Sequence, residues 1–228
     1  MCKLPSLPYV AVAAVTMAAA SLAAQNAAVR GTVTVLERGN RAASDVDEAV
    51  VWLVRERPAR QGRPDTMEIT ARRREFLPHV AVVTPGDAVR FPNADGFNHN
   101  VFSLSAEGPF DLGLYGRGEA RSAEFARPGV IRVYCNVHAS MSAYVVVVPD
   151  NLFARPAADG SFSIAGVPPG RYVLRAWHER ATRAVEQEVV VGATGVADLT
   201  LSLDASGFRP EAHLNKYGQP YQAGGRRY

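Results

Sequence analysis

Alternation of apolar and polar residues constrains this chain more than any other feature. In "VADLTLSL", residues 196–203, Ala197, Leu199, Leu201 and Leu203 alternate with Asp198, Thr200 and Ser202. In "VRGTVTV", residues 29–35, Val29, Gly31, Val33 and Val35 share one face. A period of two is the signature of a half-buried strand. Further short runs, "AVVWLV", "HVAVVT", "AVRFPN", "VIRVYC", "AYVVVV", "SFSIAGV", "RYVLRAW" and "EQEVVV", are separated by turn signals such as "TPGD", "RPG", "ADG" and "VPPG". With many short strands, frequent turns and no amphipathic helical pattern, the chain is expected to be all-β, a sandwich or barrel.

A hydrophobic fraction of 47% over 228 residues suits one large globular domain or two modest ones. The start of the chain departs from the strand pattern. Lys3 precedes the apolar run "YVAVAAVTMAAASLAA", and small residues follow. This pattern fits a secretory signal peptide over residues 1–24, cut after Ala23 or Ala24, so the mature chain is expected to be periplasmic or secreted. The run is too short, and lacks the basic flank, for a stable membrane span. Cys2 would leave with the signal. Cys135 then remains as the only cysteine of a chain in an oxidising compartment, which asks for a specific explanation. The net charge of +3 is too small to indicate a nucleic-acid partner. All but two of the 25 basic residues are arginine, and several crowd into "RERPARQGRP" and "ARRRE". Such stretches read first as solvated linkers and more sharply as a docking patch for an acidic partner.

Composition breaks near 55–65 and 148–160 outline a central module at residues 66–150. Residues 205–228 mix Gly, Pro, polar residues and tyrosines without periodicity and read as an extended C-terminal tail.

The central module carries the chemistry. Alternation through "VIRVYC" places Ile131, Val133 and Cys135 on the inner face, so the thiol should point inward at a strand end. The loop "CNVHASM" returns His138 and Met141 toward the same place, and "NHNVF" supplies His99 at the start of another strand. Two imidazoles, a thiolate and a thioether make up the ligand set of a mononuclear blue-copper site. Competing chemistries fit less well. "CNVH" lacks the second cysteine of a haem attachment motif, and a Cys/His nucleophile would need a third, orienting group. Structural zinc usually recruits paired Cys or His knuckles, although Zn²⁺ could occupy the same donors. Catalysis is therefore not expected. His79, His178 and His213 read as ordinary surface or core histidines.

Residues 66–150, in "FLPHVAVVTPGDAVRFPNADGFNHNVF" and "FARPGVIRVYCNVHASMSAYVVVV", resemble the cupredoxins, the family of plastocyanin and amicyanin, with a ligand loop most similar to that of amicyanin. The resemblance implies a Greek-key barrel or sandwich holding one type 1 copper per chain. It implies His99, Cys135, His138 and Met141 as ligands, Asn100 as a brace for the ligand loop, and His138 as the electron exit. Residues 152–203, with "ADGSFSIAGVPPGRYVLRAWHE", resemble the carboxypeptidase regulatory-like, or prealbumin-like, β-sandwich, and residues 29–54 look like its opening hairpin. The cupredoxin would then be inserted in a discontinuous sandwich whose core Trp52 and Trp177 share. The mature chain as a whole resembles bacterial envelope proteins known as methylamine-utilisation proteins, a designation that implies no particular substrate. The function implied is single-electron transfer with a redox partner protein in the envelope. The alternatives are copper storage or delivery without turnover, and a non-redox module that binds carbohydrate or protein.

Overall fold

The computed structural model describes residues 27–56, 62–210 and 213–221. The expected signal peptide and the middle of "RERPARQGRP" lie outside the described residues. Among the described residues there is no α-helix, only strands and one short 3-10 turn, so the protein is all-β. No helix among them is long and apolar enough to cross a membrane.

The first segment supplies β1 (Ala28–Glu37), β2 (Arg41–Ala42) and β3 (Val50–Arg55). The middle segment supplies β4 (Thr66–Glu68), β5 (Thr70–Arg72), β6 (Glu75–Leu77), β7 (Val80–Val83), β8 (Ala88–Pro92), β9 (His99–Ser103), β10 (Phe110–Tyr115), β11 (Ala120–Glu124), β12 (Gly129–Cys135) and β13 (Ser142–Val147). The last supplies β14 (Phe153–Ala154), β15 (Ser161–Ala165), β16 (Gly170–Trp177), β17 (Val185–Val191) and β18 (Val196–Asp204).

Strands of the first and last segments share two sheets. In one, β1 lies between β15 and β18; in the other, the order is β14-β3-β16-β17. The middle segment forms a sheet in the order β10-β9-β12-β13-β7, a second of β11-β8-β4, and the hairpin β5-β6. The sheets stack in layers. Val29, Val33, Leu201 and Leu203 meet Val51, Leu53, Leu174 and Ala176 in one core. Ala81, Val83, Ile131, Val133 and Val145 meet Val89 and Phe91 in another.

A third core joins the layers. Val50 and Trp52 of β3 pack on Val80 and Val82 of β7 and on Val146 and Val148 at the end of β13, with Trp177 against them. Trp52 and Trp177 therefore belong to the junction between sheets, not to the sandwich core expected of them. The reason is strand parity. On β3, Val51 and Leu53 face the sandwich core, so Trp52 must face away. This double burial also explains the unbroken apolar runs "VVWL", "VAVV" and "VVVV", because a strand covered on both faces loses its polar half.

A second correction concerns β18. Ala197 is exposed instead of joining Leu201 and Leu203 inside. The β1–β18 register slips between Val29 and Gly31, and Asp198 takes a left-handed φ of 60°. Such a bulge absorbs an extra residue and turns the alternation over. Gly31 sits opposite Leu199 at this slip, where any Cβ would strike the Leu199 carbonyl.

Polar contacts also cross the junction. His79 Nδ1 lies 3.2 Å from the Ser142 carbonyl and Nε2 lies 3.0 Å from the Glu179 carboxylate. Both partners only accept, so both ring nitrogens donate and His79 is an imidazolium. The Glu179 carboxylate raises the pKa of His79 against the opposing effect of burial, and His79 in turn lowers that of Glu179. Arg155 adds a bond to the Val80 carbonyl and an ion pair with Glu48. Each fully buried valine contributes about 1.5–3 kcal/mol, against about 1 kcal/mol for a partly exposed ion pair, so the apolar cluster dominates the joint.

The ion pair nevertheless sets a pH dependence. The contribution of His79, whose folded pKa is raised, is complete below its unfolded value near 6.5 and is lost as pH rises through the folded value. The contribution of Glu179, whose folded pKa is lowered, is present above its unfolded value of 4.5 and is lost as pH falls through the folded value. Glu179→Gln is expected to cost about 1 kcal/mol in urea unfolding at pH 6 and less than half of that at pH 9. An equal cost at both pH values would refute the pairing.

Candidate metal centre

The site forms where the C-terminal end of β12 meets the N-terminal end of β9. Cys135 pairs with Val101 in the ladder, which places it beside His99. Ile131, Val133 and Cys135 are all fully buried in one core, as their alternation predicts. After Cys135 the chain makes a tight loop. The Met141 carbonyl accepts from the Cys135 amide at 3.2 Å, and the Met141 amide donates to the His138 carbonyl at 3.1 Å. The loop thereby brings His138 back to the sulfur.

Cys135 Sγ lies 3.5 Å from His99 Nδ1 and 3.8 Å from His138 Nδ1, and the three donor atoms lie within 4.8 Å of one another. With metal–nitrogen bonds of about 2.05 Å and metal–sulfur bonds of about 2.3 Å, trigonal to tetrahedral angles require sulfur–nitrogen separations of about 3.6–3.8 Å. The observed spacing therefore suits a small divalent or monovalent metal ion. Met141 is fully buried in the core cluster that contains Cys135.

The sulfur is surrounded by donors. Burial pushes the Cys135 thiol pKa up, and the backbone amides of Asn100, Val137 and His138, which point at the sulfur, partly offset it. The Val137 amide is 3.4 Å away. Such contacts favour thiolate over thiol and would tune a bound metal. Asn100 contributes through its backbone, its carbonyl accepting from the Asn136 amide at 3.0 Å. Its side-chain NH₂ reaches Asp111 at 2.6 Å instead of the loop.

His99 is fully buried, and its Nε2 lies 3.0 Å from Asp95 Oδ2. A carboxylate only accepts, so Nε2 carries a hydrogen, which aims Nδ1 at the sulfur. Burial alone would raise the Asp95 pKa, but the Arg74 amide, His99 and the Arg73 amide outweigh it and hold the carboxyl below its usual range. Buried Asn93 fixes this loop, accepting from the Asp95 amide and donating to the Phe97 carbonyl. His138 is only partly buried. Its pKa is lowered, by burial first and then by the neighbouring imidazole and Arg74, which keeps its ring available as a ligand. The Phe97 ring packs 5.1 Å from both imidazoles.

Asp95 was not apparent from the sequence as part of this site. Its only signal is a carboxylate four residues before His99 in "DGFNH". The tail was also missed. His213 stacks on Tyr134 with centroids 4.1 Å apart, and the Tyr221 hydroxyl donates to the Cys135 carbonyl at 2.7 Å. The Lys216 amide donates to the Asn136 side chain, and its ammonium pairs with Asp111. The segment 213–221 thus straps the outside of the ligand loop. His79 and His178 stand apart from the cluster; His178 is buried and bonds the Asp45 carbonyl.

No family model matches the chain, and no curated protein matches it. Similar solved structures include a Cu-containing nitrite reductase from Thermus scotoductus, at 24% identity and TM-score 0.35 over 40% of this chain and 25% of that one. A purple cupredoxin from Nitrosopumilus maritimus is 21% identical, with TM-score 0.33 over 36% of this chain and 99% of that one. An amicyanin variant in its oxidised state is 22% identical, with TM-score 0.35 over 36% of this chain and 82% of that one. The chain spans a quarter of the length of the reductase. Such likenesses are too slight to carry the chemistry, which stands on the geometry of the site.

Two substitutions test this arrangement without metal. Asp95→Ala strands the buried Nε2 of His99 and is expected to cost about 1–3 kcal/mol of stability in urea unfolding; no loss would show that His99 finds another partner. Tyr221→Phe is expected to cost about 1 kcal/mol and to speed hydrogen exchange at the Val137 amide, and unchanged exchange would mean that the tail does not brace the loop.

Proposed function

We propose that this protein is an exported, mononuclear type 1 copper protein that passes single electrons to and from a partner protein in the periplasm or envelope. The observation that carries the reading is a buried cysteine sulfur with two imidazole Nδ1 atoms at metal-binding separation, a set of soft and borderline donors that suits copper. When bound, copper supplies a one-electron couple. Cys135 would give the strong sulfur ligand, His99 the buried imidazole, His138 the outer imidazole at the exit, and Met141 the weak axial thioether. Asn100 would brace the loop from behind.

The chain's own task is to hold these donors still. Cys135 and His99 sit at strand ends, and the loop is closed by backbone hydrogen bonds and strapped by the tail. A site that moves little on gaining or losing an electron exchanges it quickly. The proposal assigns no substrate turnover, so the protein would not be an enzyme. It also treats residues 66–150 as a cupredoxin domain inserted in a prealbumin-like sandwich of 29–54 and 152–203, a division supported by the pairing of β1 with β15 and β18 and of β3 with β16. Export is supported by the leader composition of residues 1–24.

The test is an optical and electron-paramagnetic-resonance spectrum of the purified protein after addition of Cu(II), with metal analysis. One copper per chain, an intense thiolate-to-copper band in the visible, narrow hyperfine splitting and a reversible potential are expected. Cys135→Ser and His99→Ala should abolish the band. A colourless protein that holds only Cu(I) would indicate storage or delivery, and a protein that binds no copper would indicate a carbohydrate- or protein-binding module.

A further inference from the structure

The turn between β5 and β6 carries Arg72, Arg73 and Arg74, all exposed. Arg73 and Arg74 both adopt left-handed φ, 56° and 61°. Two successive left-handed residues are the pattern of a two-residue hairpin turn that favours Asn-Gly, and each costs a side-chain-bearing residue about 1–2 kcal/mol. Arginine thus occupies positions where the backbone disfavours it. Among the described residues, none of the three guanidinium groups pairs with a carboxylate. Hydrogen bonds from His99 and from the Arg73 and Arg74 amides hold Asp95 without removing its charge, so Asp95 and exposed Glu75 stand against three guanidinium groups and the turn keeps a net charge of +1 (3 − 2).

The patch adjoins the outer imidazole. The Arg74 guanidinium lies 5.2 Å from the centroid of Phe97, whose ring packs on His138. Phe97 and Val137, at 38% and 44% exposure, form an apolar spot beside the partly exposed His138. An apolar centre with a charged flank is the anatomy of a protein interface, and a local cationic field steers an acidic partner toward it.

We propose that the Arg72–Arg74 turn, with Phe97 and Val137, is the docking surface for an acidic protein that exchanges one electron with the metal centre beside His138. The inference rests on the copper reading above for its redox half, whereas the anion-binding half stands independently of the metal.

Two probes separate the halves. The first is paramagnetic hexacyanochromate(III), a redox-inert anion, titrated into the copper-free protein at low ionic strength. Line broadening is expected at the amides of residues 72–75, 97 and 137, to be lost in Arg72→Gln/Arg73→Gln/Arg74→Gln and reversed by poly-L-glutamate as a model acidic chain. An unchanged dispersed amide spectrum shows that the variant is folded. The second is hexacyanoferrate(II), which gives one electron to Cu(II), forming hexacyanoferrate(III) and Cu(I). Its rate constant should fall about ten-fold in the triple variant at low ionic strength. In Arg30→Gln, an exposed site on β1 in the other sheets, it should change less than about two-fold at 0.1 M salt, where charges beyond about 10 Å are screened. Broadening spread over arginines elsewhere, failure of poly-L-glutamate to compete, or an unaltered rate in the triple variant would overturn the proposal. A protein that binds the chromium complex at the turn but forms no blue site would instead overturn the copper reading alone.

Discussion

Burial of β3, β7 and β13 on both faces is the constraint on which the rest of the molecule depends. Each divides its side chains between two cores: Val51 and Leu53 against Val50 and Trp52, Ala81 and Val83 against Val80 and Val82, Val145 and Val147 against Val146 and Val148. A one-residue slip in any of them would exchange the contents of two cores at once. Register is therefore fixed more firmly here than in an ordinary half-exposed sheet. The junction valines and Trp52 then hold the β3 sheet against the sheet that carries Cys135, with His79–Glu179 and Arg155 satisfying polar groups around them.

At the far side of that sheet, each group at the metal centre is held by a different part of the chain. His99 is oriented by Asp95, which is itself held by the amides of the arginine turn. Cys135 is held by its ladder position and by amides from β9 and the ligand loop. The loop is closed from within by Met141 and His138, tied to β9 through Asn100, and covered from outside by His213 and Tyr221. Rigidity at the site is thus a property of several converging segments, and it couples the exposed arginine turn to the buried imidazole through one carboxylate.

Much of this was legible in the sequence because periodicity and spacing are local. Alternation through "VIRVYC" predicted the inward thiol, and the three-residue steps from Cys135 to His138 to Met141 predicted a returning loop. Asp95 was not legible, because a carboxylate four residues before a histidine is commonplace and its role depends on where the loop at 93–97 folds. The tail looked featureless for a related reason: its contacts span about 80 residues, as from Lys216 to Asn136, and stacking of His213 on Tyr134 leaves no periodic trace. The β-bulge at Asp198 was hidden because alternation continues in the letters while the backbone turns over.

The sequence by itself determined the all-β class, the inward face of most strands, and the Cys135–His138–Met141 loop, since each follows from side-chain period and short-range chain geometry. Tertiary structure decided which core each buried face joins, how closely the two imidazoles approach the sulfur, and what orients them. Those outcomes depend on distances between residues far apart in the chain. The letters set His99 apart from His213 by its place at a strand start, but only the fold brings its ring 3.5 Å from the thiol and against Asp95, while His213 stacks outside the loop.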